Sequence, residues 1–149
     1  MGSGQEYYFG WSTYLDPGFP SPAPGQGHSL FFQTHPKNSG SPQIEMSTRN
    51  ERISLKTTRG EPWSIPLTRA VWHDFVLRVK FSSDASVGFV ELWHNGTKVV
   101  TEFKAATLAS GSGSYLKLGY YRSGRIKQPG VVFHDGMRVG ASYEASAVR

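Results

Sequence analysis

The sequence predicts an all-β fold, an antiparallel sandwich or jelly roll, and three observations carry that prediction. Apolar residues recur with period two: in the stretch from Phe75 to Phe81, Phe75, Leu77, Val79 and Phe81 face one way while Arg78 and Lys80 face the other. Helical periodicity is hard to find. Asn95-Gly96 lies between two such runs, the strongest short-range hairpin signal because both residues tolerate positive φ. Clusters of Gly, Pro, Ser and Asn then punctuate the chain at short, regular intervals.

Taken in order, Met1-Gly2-Ser3-Gly4 reads as a start codon with a flexible cloning remnant and is set aside, leaving 5–149 as a single domain. Strands are expected over Tyr7 to Leu15, Ser29 to His35, Gln43 to Ser47, Arg52 to Thr57 and Phe75 to Phe81. Others follow over Gly88 to Trp93, Lys98 to Val100, Tyr115 to Arg122 and Val131 to Val139. Pro17, Pro20, Pro22 and Pro24 make Asp16 to Gly27 a loop, and Lys37 to Pro42 and Ala109 to Gly113 are shorter connections. Only Glu102 to Leu108 is expected to form a helical turn. No repeat is visible.

At 149 residues the chain fits one domain with a core of its own. Aromatic residues make up 13% and charged residues 18%, which excludes a disordered polyelectrolyte. The absence of cysteine excludes disulfides, thiolate metal sites and a cysteine nucleophile, and leaves the compartment open. No apolar run is long enough for a transmembrane helix, and no charged-then-apolar leader precedes the first aromatic cluster. Lys and Arg number 16 against 11 Asp and Glu, a formal charge of +5 that favours an anionic partner. A recognition helix, zinc ligands or a ribonucleoprotein-type aromatic motif would be needed for nucleic acid, and none is present, so no nucleic-acid or membrane partner is expected. The densest basic stretch, Arg122 to Lys127, reads equally well as a solvated loop.

Two strands concentrate polar chemistry on one face. In Phe31-Phe32-Gln33-Thr34-His35, alternation puts Gln33 and His35 together. In Tyr115-Leu116-Lys117-Leu118-Gly119-Tyr120-Tyr121-Arg122, it puts Tyr115, Lys117, Gly119 and Tyr121 together and sends Leu116, Leu118 and Tyr120 to the core. Lys117 and Tyr121 are then about 13 Å apart along the strand, with the glycine between them leaving a dip for a ligand. An amide, an imidazole, an ammonium and a phenol on one face suit a polyanion, although polar residues alternating outward on a solvated face satisfy the same pattern. His73 and His94 read as structural or exposed, His28 as a loop residue, and His134 precedes the turn signal Asp135-Gly136. No zinc-protease helix, nucleophile elbow or phosphate loop is present. Glu45, Glu51 and Glu91 are available to a two-carboxylate glycosidase, but nothing singles out a pair.

These residues resemble a known superfamily. Gln33-Thr34-His35 is similar to the Gln-x-His motif of the jelly-roll polysaccharide lyases, which act on alginate, heparin or glucuronan. The strand from Tyr115 to Tyr121 is similar to their Tyr-x-Lys-x-Gly-x-Tyr strand. Trp72-His73-Asp74-Phe75-Val76, Val90 to Gly96 and His134 to Arg138 look most like the heparin-lyase and glucuronan-lyase branch. The resemblance, which spans Tyr7 to Glu144, implies a concanavalin/laminin G-like jelly roll that cleaves an acidic, uronic-acid-containing polysaccharide by β-elimination. It implies Gln33, His35 and Tyr121 as catalytic and Lys117, Tyr115 and Arg122 as substrate-binding. It also implies extracellular action and no required cofactor, with a structural Ca²⁺ in some relatives; no dense acidic ligand loop is visible here. The other reading kept open is a non-catalytic carbohydrate-binding module of the same fold.

One departure accompanies the likeness. Relatives carry an upstream strand with an Arg-x-Glu-type motif, whereas this sequence begins near Gln5-Glu6-Tyr7-Tyr8, which resembles the strand after it. Arg49-Asn50-Glu51-Arg52 has similar letters but follows Gln33-Thr34-His35, so it is not read as the equivalent. An unfilled sheet edge would expose unpaired backbone groups, and a homodimer through that edge is expected.

Overall fold

A computed structural model describes residues 1–148. Ten strands follow in order: β1 (Glu6–Leu15), β2 (Ser29–Pro36), β3 (Ile44–Arg49), β4 (Arg52–Thr57), β5 (Gly60–Pro66), β6 (Trp72–Lys80), β7 (Phe89–His94), β8 (Thr97–Lys104), β9 (Ser114–Arg122) and β10 (Val132–Gly140). A single turn of helix, α1 (Tyr143–Ser146), closes the chain. The strands form two five-stranded antiparallel sheets, β10-β1-β6-β7-β8 and β5-β4-β3-β2-β9, packed face to face as a jelly-roll sandwich. The expected all-β class holds.

Alternation decides what lies between the sheets. Phe9, Trp11 and Leu15 of β1 and Phe75, Leu77 and Val79 of β6 meet Phe32, Ile44, Met46 and Leu55 from the second sheet. Trp11 stacks on Phe32 with ring centroids 4.4 Å apart. Burying a side chain of this size stabilises the fold by about 1.5–3 kcal/mol, so the dozen largest define the register of both sheets. The Asn95-Gly96 hairpin joins β7 to β8 with φ of 49° and 78°, the pair of positive values a two-residue primed turn requires.

Several expectations need correction. Glu102 to Leu108 contains no helical turn: β8 continues through Lys104, and the amides of Ala105 and Thr107 donate to Gly88 and Ser82. Buried Thr107, hydrogen-bonded to the backbone of Lys80 and Ser82, gives that segment long-range partners that one turn of helix could not match. Asp135-Gly136 is no turn either; it is a bulge inside β10, with Gly136 at φ 64° and two steps on β1 facing three on β10. The strand β5 went unrecognised because Pro62 and Pro66 argue against a strand, yet β5 is a sheet edge, where missing N–H groups cost no ladder bonds. Tyr14 and Trp93 are half-buried.

The segment set aside as a remnant lies against the fold. The Met1 ammonium donates to the Ser114 carbonyl at 2.8 Å, and the Gly4 amide donates to Phe81. The proline-rich loop is equally fixed. Phe19 plugs the core, its carbonyl accepts from Arg69 Nε at 2.7 Å, and the Asn50 and Glu51 amides donate to Pro22 and Ser21. With the β9–β10 connection beside it, the loop seals one end of the sandwich, as the contact of Arg125 with the Gly25 carbonyl illustrates.

Candidate active site

The outer face of the second sheet carries the polar residues. Register aligns Lys117 of β9, Gln33 of β2, Glu45 of β3 and Lys56 of β4 in one row across four strands. His35 pairs with Tyr115 in one flanking row, and Leu30 pairs with Tyr121 in the other. Two irregularities set this arrangement. β2 carries an extra residue opposite β3 between Leu30 and Phe32, which turns both Phe31 and Phe32 into the core and leaves Leu30 with Gln33 and His35 outside. β9 bulges against the same stretch, with three steps from Leu118 to Tyr121 facing two on β2, which keeps Tyr121 in register with Leu30 and Lys117 with Gln33.

Gln33, His35, Glu45, Lys117, Tyr121 and His28 line a cleft of ≈ 320 Å³. A second hollow of ≈ 250 Å³ continues it past His28 and Glu45 to Arg49 and Lys56. Five of the six predicted residues are therefore on one face: Gln33, His35, Lys117 and Tyr121 line the cleft, and Tyr115 stands at its rim with its ring 5.6 Å from that of His35. Arg122 is not with them. It sits on the opposite face of β9, over the Tyr120 ring at 6.0 Å, and donates to the Ile126 carbonyl.

Local contacts prepare individual groups. His35 Nδ1 lies 2.8 Å from the Pro36 carbonyl, an acceptor only, so Nδ1 is the donor and, in the neutral imidazole, Nε2 is the nitrogen with the lone pair. Gln33 is 3% exposed, held under its neighbours rather than extended into solvent as alternation alone suggests. Tyr121 is 56% exposed and stacks on His28, ring centroids 4.3 Å apart. Burial pushes the Glu45 carboxyl up, and Lys56 (4.0 Å away), His28 and Arg49 oppose that only in part. Among the described residues no group of three His, Asp or Glu side chains is placed to hold a metal ion.

Sequence reasoning missed His28, Arg49 and Lys56 as groove residues. Arg49 and Lys56 obey alternation on β3 and β4, but only the pairing order of those strands with β2 puts them in the hollow that continues the cleft past Glu45. His28 immediately precedes β2 and shares the side of Leu30, a signal masked by the surrounding Gly and Pro.

The two five-stranded antiparallel sheets form the jelly-roll sandwich that the resemblance to the polysaccharide lyases implied. The chain belongs to the polysaccharide lyase family, whose profile matches residues 1–138. Its fold is similar to that of the endo-β-1,4-glucuronan lyase from the fungus Trichoderma reesei, with TM-score 0.76 and 18% identity over 97% of this chain and 72% of that one. It is also similar to a GH131 β-glucanase catalytic domain from Podospora anserina, with TM-score 0.66, 17% identity and coverage of 97% and 61%. A third likeness is to the marine PL7 alginate lyase AlyA1 from Zobellia galactanivorans, with TM-score 0.59, 17% identity and coverage of 93% and 62%. This chain thus spans less than two thirds of the latter two proteins. No curated protein sequence matches it.

Proposed function

We propose that this protein is a lyase that cleaves an anionic, uronic-acid-containing polysaccharide by β-elimination, with Gln33, His35 and Tyr121 as catalytic residues and Lys117 and Tyr115 binding substrate. What carries the reading is the cleft that brings Gln33, His35, Lys117 and Tyr121 together. The C5 proton of a uronate is too weakly acidic while the neighbouring carboxylate keeps its full charge. The Gln33 amide and the Lys117 ammonium neutralise that carboxylate and stabilise the enolate-like transition state. The bond from Nδ1 of His35 to Pro36 turns Nε2 of the neutral imidazole toward the cleft as the base, and it takes the C5 proton. The C5–H electron pair becomes the C4=C5 double bond, the C4–O bond breaks, and Tyr121 gives its phenolic proton to the departing oxygen. Solvent then carries the proton from His35 back to Tyr121. Arg49 and Lys56 lie where a neighbouring uronate of the polymer would pass. Such polymers are extracellular, and the protein would act there.

The glucanase likeness raises a hydrolytic alternative that the groove does not favour. Glycoside hydrolysis uses a pair of carboxyl groups about 5–9.5 Å apart. Of the three candidates, Glu45 alone lines the groove: Glu51 is clamped by Arg69 at 2.8 Å, and Glu91 lies on the other sheet between Arg78 and Lys98.

Incubation with glucuronan, alginate, heparin and heparan sulfate, followed by ultraviolet absorbance of the unsaturated uronate, tests the proposal. Absorbance should rise with at least one polymer. Retention of a polymer without any new double bond makes the protein a carbohydrate-binding module, and new reducing ends without absorbance make it a hydrolase.

A further inference from the structure

The outer face of the first sheet is divided in two. Over one half, α1 packs on β1, Tyr143 stacks on Trp93 at 5.1 Å, and Arg78, Glu6, Glu91 and Lys98 form an ion-pair network. The other half is bare. There Phe133 of β10, Tyr14 of β1 and Trp72 of β6 are direct cross-strand partners, with ring centroids 6.0 Å and 5.5 Å apart. Phe133 is 54% and Trp72 48% exposed. Two residues along the same strands and on the same face, Asp135, Ser12 and Asp74 form a parallel polar row, in which the Ser12 hydroxyl donates to Asp74.

We propose that Phe133, Tyr14 and Trp72, with Asp135 and Asp74 beside them, form a second glycan site that holds a neutral hexopyranose chain on the face opposite the lyase groove. Aromatic rings stack on the C–H faces of pyranoses, and a row of carboxylates accepts from the equatorial hydroxyls at the sugar edge. The three rings cross three strands about 4.8 Å apart and span about 10 Å; tilted by 62° and 51° to one another, they form a corrugated strip on which two adjacent sugars meet different rings. Charge selects the ligand. Two carboxylates, Asp135 and Asp74, border the rings, so a polyuronate is repelled there where a neutral chain is not. Area argues against a second copy of the chain. Rings of about 150–250 Å² at about half exposure offer roughly 300 Å², well under the ≈ 800 Å² per partner of a stable interface. The site would hold the enzyme on the neutral glycan that surrounds an acidic polymer, and it does not depend on the lyase reading.

Affinity electrophoresis in hydroxyethylcellulose and calorimetry with cellohexaose test it. The parent should be retarded, equally at low and high salt. Trp72→Ala and Phe133→Ala should each weaken cellohexaose binding about tenfold, the loss of one stacking contact, and Tyr121→Phe should leave cellohexaose binding as it is in the parent. Cellohexaose should also protect Trp72 from N-bromosuccinimide oxidation in the unmutated chain, a readout independent of whether any variant folds. Absence of both retardation and protection overturns the proposal, as does retardation abolished by Tyr121→Phe instead of Trp72→Ala, which places the glycan in the groove. A parent dimer that Trp72→Ala converts to monomer also overturns it, by assigning the rings to a second copy.

Discussion

At the level of single residues, the groove separates chemistry from stability. Tyr121 is more than half exposed, so Tyr121→Phe should leave urea unfolding within about 0.5 kcal/mol of the parent while abolishing release of unsaturated product. Retained near-normal turnover would remove Tyr121 from the mechanism. His35→Ala should likewise abolish turnover. The residue pair His73 and His94 makes a pH prediction of a different kind. His73 Nε2 donates to the Thr68 carbonyl at 3.0 Å, so its Nδ1 accepts from His94 Nε2, also at 3.0 Å. Burial first, and the neighbouring His73 second, push His94 down to about 4 from 6.5. The neutral form is therefore favoured by folding, and protons bind the unfolded chain more readily. Stability from this group is complete above pH 6.5 and is lost as pH falls toward about 4. Buried His134 shifts the same way, so the comparison needs His94→Gln, whose unfolding free energy should fall less between pH 7 and 4.5 than that of the parent. Equal slopes for the two proteins would refute the assignment.

At the scale of elements, legibility followed the range of the interactions. Alternation within one strand is local, and it was enough to place β1, β2, β4, β6, β7, β9 and β10 and to put Gln33 with His35 and Lys117 with Tyr121. What it could not supply was pairing order and the identity of edges. Prolines hid β5 because a proline is excluded from a central strand but tolerated at an edge, and sequence does not say which strand is which. Glycine after aspartate at 135–136 has the same letters in a turn and in a bulge. Glu45, Arg49 and Lys56 joined the site only once β3 and β4 were known to lie beyond β2. Arg122 was misplaced by proximity in sequence, although its even position on β9 already assigned it to the other face. The contact between β1 and α1 gives an element-scale prediction. A Cβ on Gly10 would stand 1.7 Å from the Ser146 carbonyl oxygen, a clash that no rotamer relieves because both partners are backbone. Gly10→Ala should displace α1 and cost about 1–3 kcal/mol, read by urea denaturation. A stability unchanged from the parent would mean that α1 contributes nothing to the fold.

Across the whole molecule, the two sheets present opposite electrostatic characters to solvent. The second sheet lines its groove with Lys117, Lys56, Arg49, His28 and His35 around the single carboxylate Glu45. On the first sheet, cations are matched: Arg78 and Lys98 share Glu91, whose burial they outweigh to hold its carboxyl below the usual range. With histidine neutral, three cations against one carboxylate give the groove +2 of the chain's net +5, on the face where a polyanion would lie and where that charge raises local polymer concentration and speeds encounter. Screening reaches these partly exposed cations, since the Debye length shrinks from about 10 Å at 0.1 M salt to about 3 Å at 1 M. Raising salt should therefore increase KM for the polyuronate far more than it lowers kcat, because the elimination step proceeds within contacts shorter than the screening length. Lys56→Ala removes a cation that lies beyond the reacting sugar and should flatten the dependence of KM on salt while sparing kcat. Lys117→Ala removes the cation that the proposed mechanism sets against the reacting carboxylate, and should lower kcat and raise KM together. Steady-state kinetics across a salt series decide between these outcomes. If Lys56→Ala lowers kcat as much as Lys117→Ala does, the reacting uronate sits over β3 and β4 rather than over β2 and β9.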